Sequence, residues 1–219
     1  MWLLYYFFIY IYIKILENLN GFNKCDVSKY PTYILKKIKK RSSDMTLYFT
    51  KDFVFKIQEC KKKEKEIIHY NEIKRKLDET KNYDGAIIPK MYSKKDINTP
   101  FLNTNEVKNM IIYEKVGNMS LGDWLKKVKN HRNNVNIKKS KKFIIDKLTK
   151  FVSVIHDKNR TGYVTHNDLH TENVFISVDR NNICKIKKVY VIDFGMDYPR
   201  KFGYLHDNFM MIMLKYYYI

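Results

Sequence analysis

The sequence predicts an α+β chain, a small sheet-forming half followed by a mainly helical half. Three observations carry this. Phe53-Val54-Phe55-Lys56-Ile57 alternates apolar residues as a strand with one face on a core does. Ser140 through Asp157 sets Phe143, Ile144, Leu148, Phe151, Val152 and Ile155 at i, i+3/i+4 spacing, an amphipathic helix. Val174–Val178, then Asp179-Arg180-Asn181-Asn182, then 186–192 reads as strand, turn, strand. At 219 residues, the chain fits one modest domain or two small lobes. Hydrophobic residues at 45% suffice for a core, which excludes global disorder.

In chain order, residues 1–16 form an apolar and aromatic run broken only by Lys14. It falls short of the roughly 20 residues of a spanning helix. It also lacks the basic start and small-residue cleavage site of a secretory signal. It is a candidate membrane anchor, whose lysine-rich C-terminal flank would keep the rest of the chain cytosolic. An extra strand, or upstream sequence included in the reading frame, are the alternatives. Residues 17–32 read as a polar linker. Beyond Lys56, Ile67, Tyr70 and Ile73 follow Glu66 at helical spacing. Met110 to Gly117 reads as a buried strand entering a short connector, and 118–125 as the start of a helix. His206 to Leu214 reads as a last helix.

The formal net charge is +19, with lysine clusters at 36–41, 61–65, 126–129 and 138–142. Such a balance suits nucleic acid, acidic lipid or an acidic substrate. Lys, Asn, Ile and Tyr are all abundant, however, as an AT-rich genome produces, and the clusters interrupt amphipathic segments as solvated faces do. No aromatic-basic RNA motif or helix-turn-helix signature is present, so a nucleic-acid partner is not expected. Cys25, Cys60 and Cys184 are odd in number and widely spaced, which points to a reducing compartment and away from a disulfide framework or zinc site.

The chemistry sits in two strings. His166-Asn167-Asp168-Leu169-His170-Thr171-Glu172-Asn173 places an Asp and an Asn five residues apart on one loop. Val191-Ile192-Asp193-Phe194-Gly195 ends an apolar strand on a second Asp. Phosphoryl transfer from a nucleotide needs one carboxylate to orient and deprotonate a hydroxyl, and an amide and a carboxylate to hold Mg²⁺ on the phosphates.

These strings resemble the protein-kinase-like superfamily over roughly Tyr33 to Leu214, most closely from Phe143 to Gly195. The resemblance implies a two-lobed fold, with a small antiparallel-sheet N-lobe over 33–116 and a shortened, mainly helical C-lobe over 117–219. It implies ATP and Mg²⁺ as cofactors and, as in compact viral-type Ser/Thr protein kinases, a protein Ser/Thr hydroxyl as acceptor. Asp168 would be catalytic, and Asn173 and Asp193 would bind Mg²⁺. Lys56 would contact the α- and β-phosphates, held by Glu66, or by Glu72 as second choice. Backbone groups of Glu114 and Val116 would meet adenine; Leu47, Val54 and Phe175 would sandwich it, with Tyr113 at the back. His166 would pack on Phe194, and Asp207 would buttress the loop backbone. A cytoplasmic location follows, the host cytoplasm for a viral-type enzyme.

The sequence also departs from that pattern. No Gly-x-Gly-x-x-Gly loop is present; the corresponding turn is Arg41-Ser42-Ser43-Asp44, between strands near 33–40 and 46–49. Without glycines the cover over phosphates should be looser. His170 stands where Ser/Thr kinases carry Lys, and His-x-Asp-Leu-His resembles aminoglycoside phosphotransferases and choline kinases, so a small hydroxyl acceptor is the alternative. His170 is read as a loop residue ahead of a substrate contact. Asn167 replaces the Arg that grips a phosphorylated activation loop. With 196–219 alone after Asp-Phe-Gly, the chain reads as a minimal kinase, a truncated reading frame or a decaying copy. A non-catalytic, kinase-shaped binding module is the reading from another class.

Overall fold

The computed structural model describes residues 22–25, 36–40, 45–93, 104–131, 134–157, 164–195 and 200–218. The 1–16 run, most of 17–32 and the Arg41–Asp44 turn lie outside the described residues. No helix among the described residues is long and apolar enough to cross a membrane. The chain is α+β and divides into two compact units, 1–63 with 91–115, and 64–90 with 116–219.

The first unit is a six-stranded antiparallel sheet. Its strands are β1 (Phe22–Cys25), β2 (Lys36–Lys40), β3 (Thr46–Phe49), β4 (Phe53–Ile57), β5 (Met91–Tyr92) and β6 (Met110–Glu114), in spatial order β1-β2-β3-β4-β6-β5. β1 corrects the reading of 17–32 as linker throughout: its backbone supplies the partner that β2 needs, and ladder bonds do not depend on side-chain polarity. Thr50 closes the β3–β4 turn, its hydroxyl accepting from the Phe53 N–H at 3.0 Å and its own N–H reaching the Phe53 carbonyl at 2.9 Å.

The register sorts this sheet into two faces. Leu47 pairs with Lys56, Val54 with Tyr113 and Lys56 with Ile111, so these side chains share one face. The other face carries the hydrophobic cluster of Tyr48, Phe55, Ile57, Met110 and Ile112. Phe53 and Tyr92 join that cluster edge-to-face at 5.2 Å. Tyr48 donates to Glu106 of the short helix α2 (Thr104–Lys108) at 3.2 Å.

The second unit holds the three-stranded antiparallel sheet of β7 (Met119–Ser120), β8 (Val174–Val178) and β9 (Ile186–Val191), in that order. α3 (Leu121–Val128) and α4 (Val135–Ile155) lie against it, α5 (Arg200–Met213) packs on α4, and most of α1 (Cys60–Asp78), from Glu64 onward, groups in this unit. α4 starts earlier than the stripe suggests, capped by Asn134, whose side chain accepts from the Asn136 N–H at 2.8 Å. Ile144, Leu148, Phe151, Val152 and Ile155 are buried as the stripe requires. Phe143 is half-buried at the stripe's edge, with the Lys147 ammonium 5.2 Å above its ring. Each of the buried five contributes about 1.5–3 kcal/mol, so packing rather than propensity holds the helix.

The connector after β6 is fixed by glycine chemistry. Gly117 has φ +65°, and a Cβ there would lie 2.9 Å from the Ile176 carbonyl oxygen of β8. Asn118 then brackets Val178, donating to its carbonyl at 2.8 Å and accepting from its N–H at 2.9 Å. Ser120 caps α3 by accepting from the Asp123 N–H at 3.0 Å.

Candidate functional site

The loop from Val164 to Asn173 leaves the end of α4 and enters β8. Its first hold is Asp207 on α5, fully buried. The two carboxylate oxygens accept from the backbone N–H of His166 at 2.7 Å and of Asn167 at 3.1 Å, and the His156 ring reaches the first of them at 3.1 Å. Burial alone would push the Asp207 carboxyl up; the His156 contact, the neighbouring His206 and His166 rings and the backbone bond outweigh it and bring its pKa down to about 2. The expected buttress is therefore present.

His166 is fully buried, and burial pushes its imidazole's pKa down despite the carboxylates of Asp207, Asp168 and Asp193 nearby. The neutral ring fits its partners: Nδ1 accepts from the Asp168 N–H at 3.3 Å, and Nε2–H donates to the Ile192 carbonyl at 3.0 Å. Its ring stands edge-on to Phe194 at 5.3 Å, as expected from the sequence.

Asp168 and Asn173 meet directly. The Asn173 amide nitrogen donates to the Asp168 backbone oxygen at 2.9 Å and to its Oδ2 at 3.0 Å. His170 Nε2 lies 3.6 Å from the same Oδ2, while its Nδ1 accepts from the Glu172 N–H at 3.2 Å. Both neighbours address Oδ2 rather than Oδ1. The strand end carrying Asp193 is tied in through its backbone, the Ile192 N–H donating to the Asn173 carbonyl at 2.9 Å.

Two residues here have left-handed backbone, Asn167 at φ 71° and Asp193 at φ 64°. Asn and Asp tolerate that region best among non-glycine residues, and such strain persists only where the surroundings over-determine it. Asn167 is pinned by the Asp207 contact and by the Thr165 hydroxyl, which donates to its Oδ1 at 2.6 Å. Gly203 of α5 makes room for that pair: a Cβ there would collide with Asn167 Oδ1 and lie 2.5 Å from Thr165 Oγ1.

The donor set suits Mg²⁺. Asn173 spends its NH₂ group on Asp168, so its amide oxygen is what it presents, and Asp193 adds carboxylate oxygens. Hard oxygen donors, few in number, are what Mg²⁺ takes from a protein when phosphates and water complete its octahedron. Among the described residues no cluster of three or more His, Cys, Asp or Glu could hold a metal by itself.

The remaining candidates fall as follows. Lys56, Leu47 and Val54 share one face of the first unit's sheet, opposite the hydrophobic cluster; Lys56 is buried and the two apolar residues are partly exposed. Tyr113 is buried on that same face. Glu114 ends β6 exposed, and Val116 is half-buried at the start of the second unit. Phe175 is half-buried on β8. Glu66 is fully buried on the α1 face that also buries Tyr70, Ile73 and Leu77, whereas Glu72 is half-buried.

Several contacts at this site carry no local signal in the sequence. Ser120 donates to Glu172 Oε2 at 3.0 Å, and the Gly122 N–H to the Thr171 carbonyl at 3.1 Å, docking the start of α3 on the loop. Tyr70 meets Phe194 edge-on at 5.5 Å, and His69 contacts the carbonyls of Phe194 and of Thr165, the residue before the His166 string. No model of a known protein family matches the chain, and comparison with curated proteins returns no match.

Proposed function

We propose that the chain is an ATP- and Mg²⁺-dependent phosphotransferase with an alcohol group as acceptor, a Ser/Thr protein kinase with a two-lobed, protein-kinase-like fold. The observation that supports this best is the contact between the Asp168 carboxylate and the Asn173 amide, with the strand end bearing Asp193 bonded to Asn173 through its backbone. In this reading Asp168 Oδ1 accepts the hydroxyl proton of the acceptor and orients its oxygen. Asn173 and Asp193 hold Mg²⁺, which supplies charge neutralisation on the phosphates when bound. Lys56 is assigned to phosphate charge, and Leu47, Val54 and Phe175 to the faces of the base. The cytoplasm is the compartment this chemistry and the three widely spaced cysteines suit.

His170 favours a second acceptor. Its ring lies 3.6 Å from the Asp168 carboxylate, where Ser/Thr kinases carry Lys, and the string His-Asn-Asp-Leu-His resembles small-molecule phosphotransferases. Incubation of the full chain with γ-labelled ATP, Mg²⁺ and either basic proteins or amino-alcohols separates the readings. Label on protein is expected. Label on the alcohol moves the enzyme to the small-molecule class, and no transfer by a folded, nucleotide-binding chain makes it a binding module.

A further inference from the structure

We propose that His69 is a positioning residue that clamps the two chemical strings to α1 by donating from both ring nitrogens at once. Its Nδ1 lies 3.0 Å from the carbonyl oxygen of Phe194, in the Asp-Phe-Gly string. Its Nε2 contacts the carbonyl oxygen of Thr165, at the head of the loop that carries Asp168 and Asn173. A backbone carbonyl only accepts, so both contacts are hydrogen bonds only when the ring carries a proton on each nitrogen. A ring with one bare nitrogen would set its lone pair against a carbonyl oxygen, a repulsive pair.

His166, the titratable neighbour that senses His69, is buried and neutral, and the carboxylates of Asp168, Asp193 and Asp207 surround that neighbour. The two carbonyls belong to backbone next to strained or reactive positions: Phe194 follows left-handed Asp193, and Thr165 stands three residues before Asp168. One side chain thus spans the segments that bear the proposed base and a proposed Mg²⁺ ligand. Misplacement of such groups by about 1 Å can lower rates by about a hundredfold without any change in what they touch.

The effect on rate rests on the phosphotransfer reading; the clamp itself does not. Ring-nitrogen NMR of the full chain, labelled on histidine and assigned with His69→Gln, decides the clamp directly. Protons on both His69 nitrogens are expected, and one bare nitrogen overturns the proposal whether or not the chain transfers phosphate. For rate, His69→Ala is expected to lower kcat about tenfold while KM for ATP stays within about twofold. Added imidazole should restore a large part of that loss, and N-methylimidazole, with one N–H when protonated, should not. Equal rescue by both, or a loss confined to KM, overturns the positioning role.

Discussion

Asp168→Asn is expected to leave a folded chain that binds nucleotide and whose phosphate transfer is all but abolished. The substitution preserves shape, and an amide oxygen at that position can still accept from the Asn173 amide, now 3.0 Å from Oδ2. What disappears is the carboxylate charge and the capacity to take a proton. General-base assistance is worth about 10²–10⁴-fold, so kcat should fall by about a thousandfold, near 4 kcal/mol in the transition state. Nucleotide affinity should move by less than about threefold, because no nucleotide-binding role is assigned to Asp168. Single-turnover transfer from labelled ATP, paired with nucleotide titration, measures both quantities. Unchanged turnover in this variant would refute the assigned role, and lost nucleotide binding would show that Asp168 is structural.

Asp207→Asn should act on stability first and on rate through it. The buried carboxylate takes the N–H groups of His166 and Asn167 and the ring of His156 on two oxygens. An amide offers one oxygen and turns an NH₂ toward a donor, so at least one buried N–H loses its acceptor. Breaking a buried charged network this way costs about 3–5 kcal/mol. The loop would lose the hold that keeps Asn167 in its left-handed conformation, and Asp168 is the next residue. Denaturant unfolding should show the loss.

Acid separates this carboxylate from the rest of the fold. Its folded pKa is about 2, below the ordinary value of 3.8. A depressed carboxyl contributes stability that is fully present above the unfolded value and lost as pH falls through the folded one. That contribution is about 2 kcal/mol, given up between about pH 4 and pH 2. The wild-type chain should lose it over that window and Asp207→Asn should not. Parallel acid slopes in the two proteins would show that the carboxylate is not held charged by these contacts.

Much of the site was legible because its residues announce themselves locally. Period-two runs marked β4, β8 and β9, the 3.6-residue stripe marked α4, and the two strings carried Asp168, Asn173 and Asp193 in order. The rest depended on long-range geometry. His69 meets Thr165 and Phe194 across 96 and 125 residues, and six scattered histidines give no hint which one bridges. Gly203 matters for the Cβ it lacks, next to a pair on another element. Helical spacing put Glu66 ahead of Glu72, but that Glu66 is fully buried and Glu72 half-buried shows only in the fold. β1 lay in a polar stretch with no alternation to read, and α2, at five residues, is too short for a helical period to emerge.

Asn167 shows both sides of this. As a letter it marked the missing Arg of regulated kinases; in the fold it is the residue whose backbone turns left-handed and whose side chain accepts from Thr165. Its identity follows from backbone strain, which the sequence states only once the turn is known.

The convergence of Asn173 and Asp193 on one divalent ion is the claim on which the phosphotransfer account stands. Mn²⁺, which accepts the same oxygen donors, can replace Mg²⁺ in a paramagnetic resonance titration of the full chain with ATP. Asn173→Ala and Asp193→Asn are each expected to weaken Mn²⁺ binding at least about tenfold in the nucleotide complex, with ATP binding itself retained. Mn²⁺ bound equally well by both variants and the wild-type chain would contradict the account.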